Sequence, residues 1–116
     1  MKISKELVSE VFKLNICEAY IENNILYFDM GLPLIQSINI YEFVHMCKEW
    51  AFDKGYPFNV LYRYDYWDRC ELKYDVDLYN HRKSFCSDIE VEAIIKACNW
   101  ILEELNERFE DKQRAN

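Results

Sequence analysis

Residues 71–78, ELKYDVDL, alternate without a break: Leu72, Tyr74, Val76 and Leu78 are apolar, and Glu71, Lys73, Asp75 and Asp77 between them are charged. Successive side chains on a strand point to opposite faces, so a period of two specifies a strand with one buried and one wet face. The residues before them follow the same rule. Phe58, Val60, Tyr62, Tyr64 and Tyr66 share one parity, and Leu61, Arg63, Asp65 and Trp67 share the other. A turn near Asp68-Arg69 returns the chain and makes the two runs an antiparallel hairpin. Phe58, Val60 and Tyr62 then join Leu72, Tyr74 and Val76 as its core side.

Elsewhere the period changes to that of a helix. Ser4 is a candidate N-cap for a first helix through about Lys13, with Leu7, Val8, Val11 and Phe12 as its apolar stripe. Asn39 caps IYEFVHMCKEWAFDKG, in which Ile40, Phe43, Val44, Cys47, Trp50 and Ala51 recur at three- and four-residue steps. Gly55 stops that helix, and Pro57 follows. Ser87 and Glu90 read as a capping box for a last helix from Asp88 to about Phe109, with Val91, Ile94, Ile95, Cys98, Ile101, Leu102 and Leu105 on one face. Asp88, Glu90 and Glu92 suit its positive N-terminal end. Residues 110–116 are expected to fray. Between the first two helices lies CEAYIENNILYFDM. Its Asn23-Asn24 tolerates the positive φ of a tight turn, which predicts a hairpin of about 17–22 with 25–30, ended by Gly31 and Pro33. LPLIQSI reads as a loop or a short edge strand, and YNHRKSF as a polar loop.

The predicted order is α-β-β-α-β-β-α. Three helices with one apolar face each can cover one face of a four-stranded antiparallel sheet, an α+β two-layer sandwich; the alternative is a split, barrel-like sheet. Residues 1–116 read as a single domain, without repeat or linker. Apolar residues make up 51% and charged residues 30% of the chain, which contains only two Gly and two Pro. This is the composition of a globular protein with a core of its own. No apolar run approaches the roughly 20 residues of a membrane span, and the charged N-terminus lacks the apolar centre of a signal peptide. The expectation is a cytoplasmic protein that does not engage membranes.

Net charge is −7. That opposes binding to phosphate backbones, where basic groups supply most of the affinity, and suits a basic partner. The five cysteines, at 17, 47, 70, 86 and 98, form no CxxC and no zinc spacing, and an odd number argues against a disulfide framework. Cys47 and Cys98 lie on apolar helix faces. His45 and Cys47 are two apart on a helix and do not face each other. Asp75 and Asp77 stand on one strand face about 7 Å apart by strand rise, beside Lys73, as in a solvated row. Neither glycine, Gly31 or Gly55, lies in a phosphate-binding loop, and GxSxG and HExxH are absent. Neither a catalytic residue nor a cofactor nor a metal is expected.

Tyr, Trp and Arg concentrate binding energy at protein interfaces. The aromatics at the hairpin end, Tyr64, Tyr66, Trp67 and Tyr79, with the acidic groups Asp65, Asp68, Asp75 and Asp77, therefore form the candidate partner-binding surface. Competing readings are a small enzyme or ligand-binding domain using a Cys86–His81 pair, and a self-associating module, a homodimer through a sheet edge or exposed aromatics. A third acidic feature, Glu103, Glu104, Glu107, Glu110 and Asp111 with Arg108, reads as a solvated helix end, although such a face can also mimic nucleic-acid phosphates.

Two segments carry a resemblance. NIYEFVHMCKEWAFDKGY (39–56) and EAIIKACNWILEEL (92–105), about 32 of the 116 residues, resemble a group of small uncharacterised bacteriophage and prophage proteins. That group pairs an NIYEF…CKEWA…GY helix with a C-terminal EAI-x-KAC-x-WILE helix around a variable middle. The resemblance implies a phage or mobile-element accessory protein, working in the host cytoplasm. It carries over no catalytic residue. The expectation is a non-enzymatic protein that binds and inhibits a host protein, such as a defence factor, in the manner of anti-CRISPR proteins.

Overall fold

The computed structural model describes residues 1–31, 35–65 and 71–114, and only the backbone course of 64, 65, 71, 72 and 111–114. Helix α1 (Lys5–Phe12) starts at Ser4, whose Oγ accepts from the Leu7 N–H at 3.2 Å and donates to Asn99 Oδ1 at 3.1 Å. One hydroxyl thus caps a helix and ties the N-terminus to the last helix. Strands β1 (Glu18–Glu22) and β2 (Ile25–Asp29) pair through Glu22↔Ile25. Asn23 and Asn24 have φ of 51° and 63°, the two positive values a type I′ turn requires.

Strand β3 (Gln36–Asn39) pairs with β2, so the first sheet, A, has the order β1-β2-β3. Asn39 closes β3 and caps helix α2 (Ile40–Asp53) by accepting from the Tyr41 N–H at 2.8 Å. The Ile40 N–H donates to the Asn24 carbonyl at 2.9 Å, which fixes α2 to the first turn. α2 ends in a Schellman motif: Tyr56 N–H to Ala51 O at 2.8 Å and Gly55 N–H to Phe52 O at 3.1 Å. Gly55 takes the left-handed φ of 87° that this ending demands.

Strands β4 (Asn59–Asp65), β5 (Glu71–Leu78) and β6 (Lys83–Ser87) form sheet B, order β4-β5-β6. Helix α3 (Glu90–Arg114) closes the chain. The order is therefore α-β-β-β-α-β-β-β-α, with two separate three-stranded antiparallel sheets. This corrects the expectation of one four-stranded sheet. The physical reason is local: β3 and β6 each give their own hairpin a third strand, so neither hairpin needs the other's edge. The YNHRKSF segment is likewise a four-residue turn followed by strand β6, not a loop. The last helix begins at Glu90, two residues after the expected Asp88, and its backbone continues to Arg114. Ser87 ends β6 and accepts from the Ile89 N–H at 3.2 Å, so it makes a local turn before the helix and not the expected capping box.

One core joins the two halves. Leu26 and Phe28 of sheet A lie under α1 and α2, where Phe12 stacks on Phe28 with ring centroids 4.9 Å apart and tilts against Phe43 at 5.6 Å. Val76 and Leu78 of sheet B lie under α3 with Val91, Ile94 and Ile101. Between them, α2 and α3 meet through Cys47 and Cys98, both fully buried. The hydrogen bond that the Cys47 thiol donates to the neighbouring Cys98 sulfur, then burial, pushes the Cys47 thiol well above its usual pKa. Both therefore pack as neutral small side chains. No described helix is long and apolar enough to cross a membrane.

Candidate binding surface

Sheet B changes character along its length. β6 leaves β5 at the Tyr74↔Ser87 pair, and beyond it β4 and β5 continue alone through Arg63↔Lys73, Tyr64↔Leu72 and Asp65↔Glu71. The helix cover stops at about the same level. On the face toward α3, Leu78 and Val76 are fully buried, Tyr74 is half-buried and Tyr62 is 58% exposed. The alternation correctly placed Tyr62 on this face. It could not show that α3 passes over only the lower half of the strand, and so Tyr62 is not core. The Tyr62 and Tyr74 rings pair across the strands at 4.5 Å, tilted by 34°. Such cross-strand aromatic pairs contribute roughly 0.5–1 kcal/mol. They leave one face of Tyr62 free for another surface.

The opposite face is also mixed. Leu61 is 44% exposed and stands directly across from Asp75, with Cys86 on the other side of it. Asp75 is only 6% exposed, and Arg63, diagonally across the strands, makes an ion pair and hydrogen bond with it. This overturns the reading of Asp75 as part of a solvated acidic row beside Lys73. Leu61 and Cys86 flank the carboxylate, and a carboxylate so enclosed needs a charged donor. Asp77, in register with Asn59 and Ser84, remains half-exposed. The two aspartates are on one face but do different things.

The other predicted site residues separate. Tyr64 and Asp65 stand on the two-stranded ribbon by register. Tyr66, Trp67 and Asp68 lie outside the described residues. Tyr79 is 51% exposed, but in the turn after β5. Seven residues of strand, about 23 Å at ~3.3 Å each, separate it from the level of Tyr64. It belongs to the opposite end of the sheet and does not join the hairpin aromatics.

His81 and Cys86 do not meet either. The His81 ring stacks on Tyr56 at 4.1 Å, and its Nε2 lies 3.2 Å from the Gly55 carbonyl, which can only accept, so this nitrogen is the donor. Trp100 sits edge-on to both rings, Arg108 lies over Tyr56, and Lys83 over Trp100. His81 thus pins the β5–β6 turn to the end of α2. Cys86 is exposed further along β6, across from Asp75. Among the described residues, no three His, Cys, Asp or Glu side chains converge as metal ligands would.

The sequence reading placed Arg63 in the partly exposed group but missed Leu61 and Tyr62 as surface residues. The Arg63–Asp75 pair was within reach of it, since matching the apolar parities of the two runs places these residues on one face, two steps apart. The comparisons with known proteins leave the site to stand on its geometry: no family model matches the chain, and no curated protein or solved structure is similar to it.

Proposed function

We propose that this chain is a non-enzymatic binding protein whose working surface is the uncovered end of sheet B. The observation that carries this reading is the burial gradient on one face, from fully buried Leu78 and Val76 to Tyr62, which projects past the helices with its ring already packed against Tyr74. An exposed tyrosine held by a neighbour has lost part of its side-chain freedom before binding, so less is lost when a partner covers it. Arg63 adds a partly exposed guanidinium held by Asp75. The hairpin residues Tyr64, Tyr66 and Trp67 extend the same run of sequence. The net charge of −7 favours a basic partner protein over nucleic acid. The resemblance of residues 39–56 and 92–105 to small phage and prophage proteins supports a host protein as the partner, and inhibition of a host defence factor in the host cytoplasm as the biological role.

The test is capture of partners from host lysate on the immobilised chain, with Tyr62→Ala and Tyr66→Ala/Trp67→Ala compared with a Tyr20→Ala control on sheet A. A partner held by the parent and the control, and lost from both hairpin variants, supports the reading. Equal retention by all four chains overturns it.

A further inference from the structure

Two sheets leave four edge strands, and three of them are protected. β1 is five residues long, carries Glu18 and Glu22 and touches α1; β3 is four residues long and runs directly into α2; β6 packs against α3 and starts at Lys83. Short strands, charges and helical cover are the usual devices that keep edges from pairing. β4 is neither short nor, among the described residues, covered along its edge, and its charges are Arg63 and the terminal Asp65. It is seven residues long, pairs with β5 in unbroken register, and among the described residues no element lies along its other side. It has no proline or lysine. Its charge nearest the middle, Arg63, is turned aside to Asp75. Leu61 and Tyr62 stand exposed at its centre.

We infer that the free edge of β4 pairs antiparallel with β4 of a second copy of this chain, joining two B sheets into one six-stranded sheet. The charges choose the register. With Tyr62 opposite Tyr62, all seven positions overlap, Leu61 faces Arg63, Val60 faces Tyr64, and Asn59 faces Asp65. No like charges meet. A shift of two residues one way puts Arg63 opposite Arg63, which is repulsive across a strand pair. The same shift the other way reduces the overlap to residues 59–63. The chosen register also extends the Tyr62–Tyr74 contact into a row of four rings on one face. Two seven-residue edges bury less than the roughly 1,600 Å² of a standard stable interface. The dimer therefore populates with rising concentration, as a weak association does.

Sedimentation equilibrium over a concentration series tests this. The parent mass should rise from 14.1 kDa towards twice that value. Tyr62→Lys, which sets two ammonium groups against each other, should remain at 14.1 kDa throughout. Tyr62→Thr replaces the ring with a β-branched residue that also favours strands; it should weaken the dimer about tenfold or more, with an unchanged circular dichroism spectrum. Tyr20→Lys on sheet A should match the parent. A parent that stays monomeric at every concentration, or dimerisation of Tyr62→Lys or Tyr62→Thr equal to that of the parent, overturns the inference.

Discussion

Sheets A and B are built from the same parts, a hairpin plus a third antiparallel strand, but they finish differently. Sheet A is closed. Its strands are four or five residues long, its inner residues Leu26 and Phe28 are buried, and a hydrogen bond ties its turn to α2. Its outer aromatics, Tyr20 and Tyr27, stack on each other at 5.1 Å. Sheet B has strands of seven and eight residues that outrun both β6 and α3. A sheet no longer than its helical cover serves as scaffold; the excess length of the other provides a surface.

That contrast can be broken by mutation. The largest effect is expected in the closed half: Phe28→Ala removes a buried ring that Phe12 stacks on, and should cost about 3–5 kcal/mol in chemical denaturation. A loss under about 1 kcal/mol would mean that sheet A is not the scaffold. Next is the buried charge of the open half, Asp75. Arg63→Ala leaves the enclosed Asp75 carboxylate without its donor and should cost about 1–3 kcal/mol, more than an exposed ion pair contributes. Asp75→Asn in the same background should then recover part of the loss, because the group left behind is neutral.

The joint between the halves gives a pH-dependent test. The Cys47 pKa is raised in the folded chain, so the neutral thiol is the form that folding favours. Its contribution is complete below the unfolded thiol pKa of about 8.5, and is lost as pH rises towards the folded value, by at most about 1.4 kcal/mol per pH unit. Denaturation midpoints from about pH 7 to about pH 9.5 should fall more steeply for the parent than for Cys47→Ala. Equal slopes would show that the thiol ionises freely.

The smallest stability effect belongs to the open surface itself. Tyr62→Ala should change stability by less than about 1 kcal/mol, since the ring is mostly solvated and loses only its contact with Tyr74. Its effect should be on association. A large stability loss would make Tyr62 part of the core and end the distinction between the two sheets.

Much of this was legible in the chain because it is local. Ser4 and Asn39 cap the helices they precede, Asn23-Asn24 makes the two-residue turn, and the parity of residues 58–78 gives the β4–β5 faces. Each depends on contacts within a few residues or on a strict period. β3 and β6 were not legible in the same way. QSIN and KSFCS are short and polar, and only a neighbouring strand with free hydrogen-bonding groups makes them strands.

The sequence by itself therefore determined the helices, the hairpins and which residues of each strand share a face. Tertiary structure alone decided how many sheets they form and where cover ends. Val76 and Tyr62 obey one alternation, yet one is buried and the other exposed, because α3 crosses the lower part of sheet B and not the upper. Asp75 and Asp77 occupy the same wet parity, yet only Asp75 is enclosed, because Leu61 and Arg63 of β4 and Cys86 of β6 converge on it from the strands on either side. Periodicity fixes direction; burial depends on what lies in that direction, and this is set by the packing of distant segments.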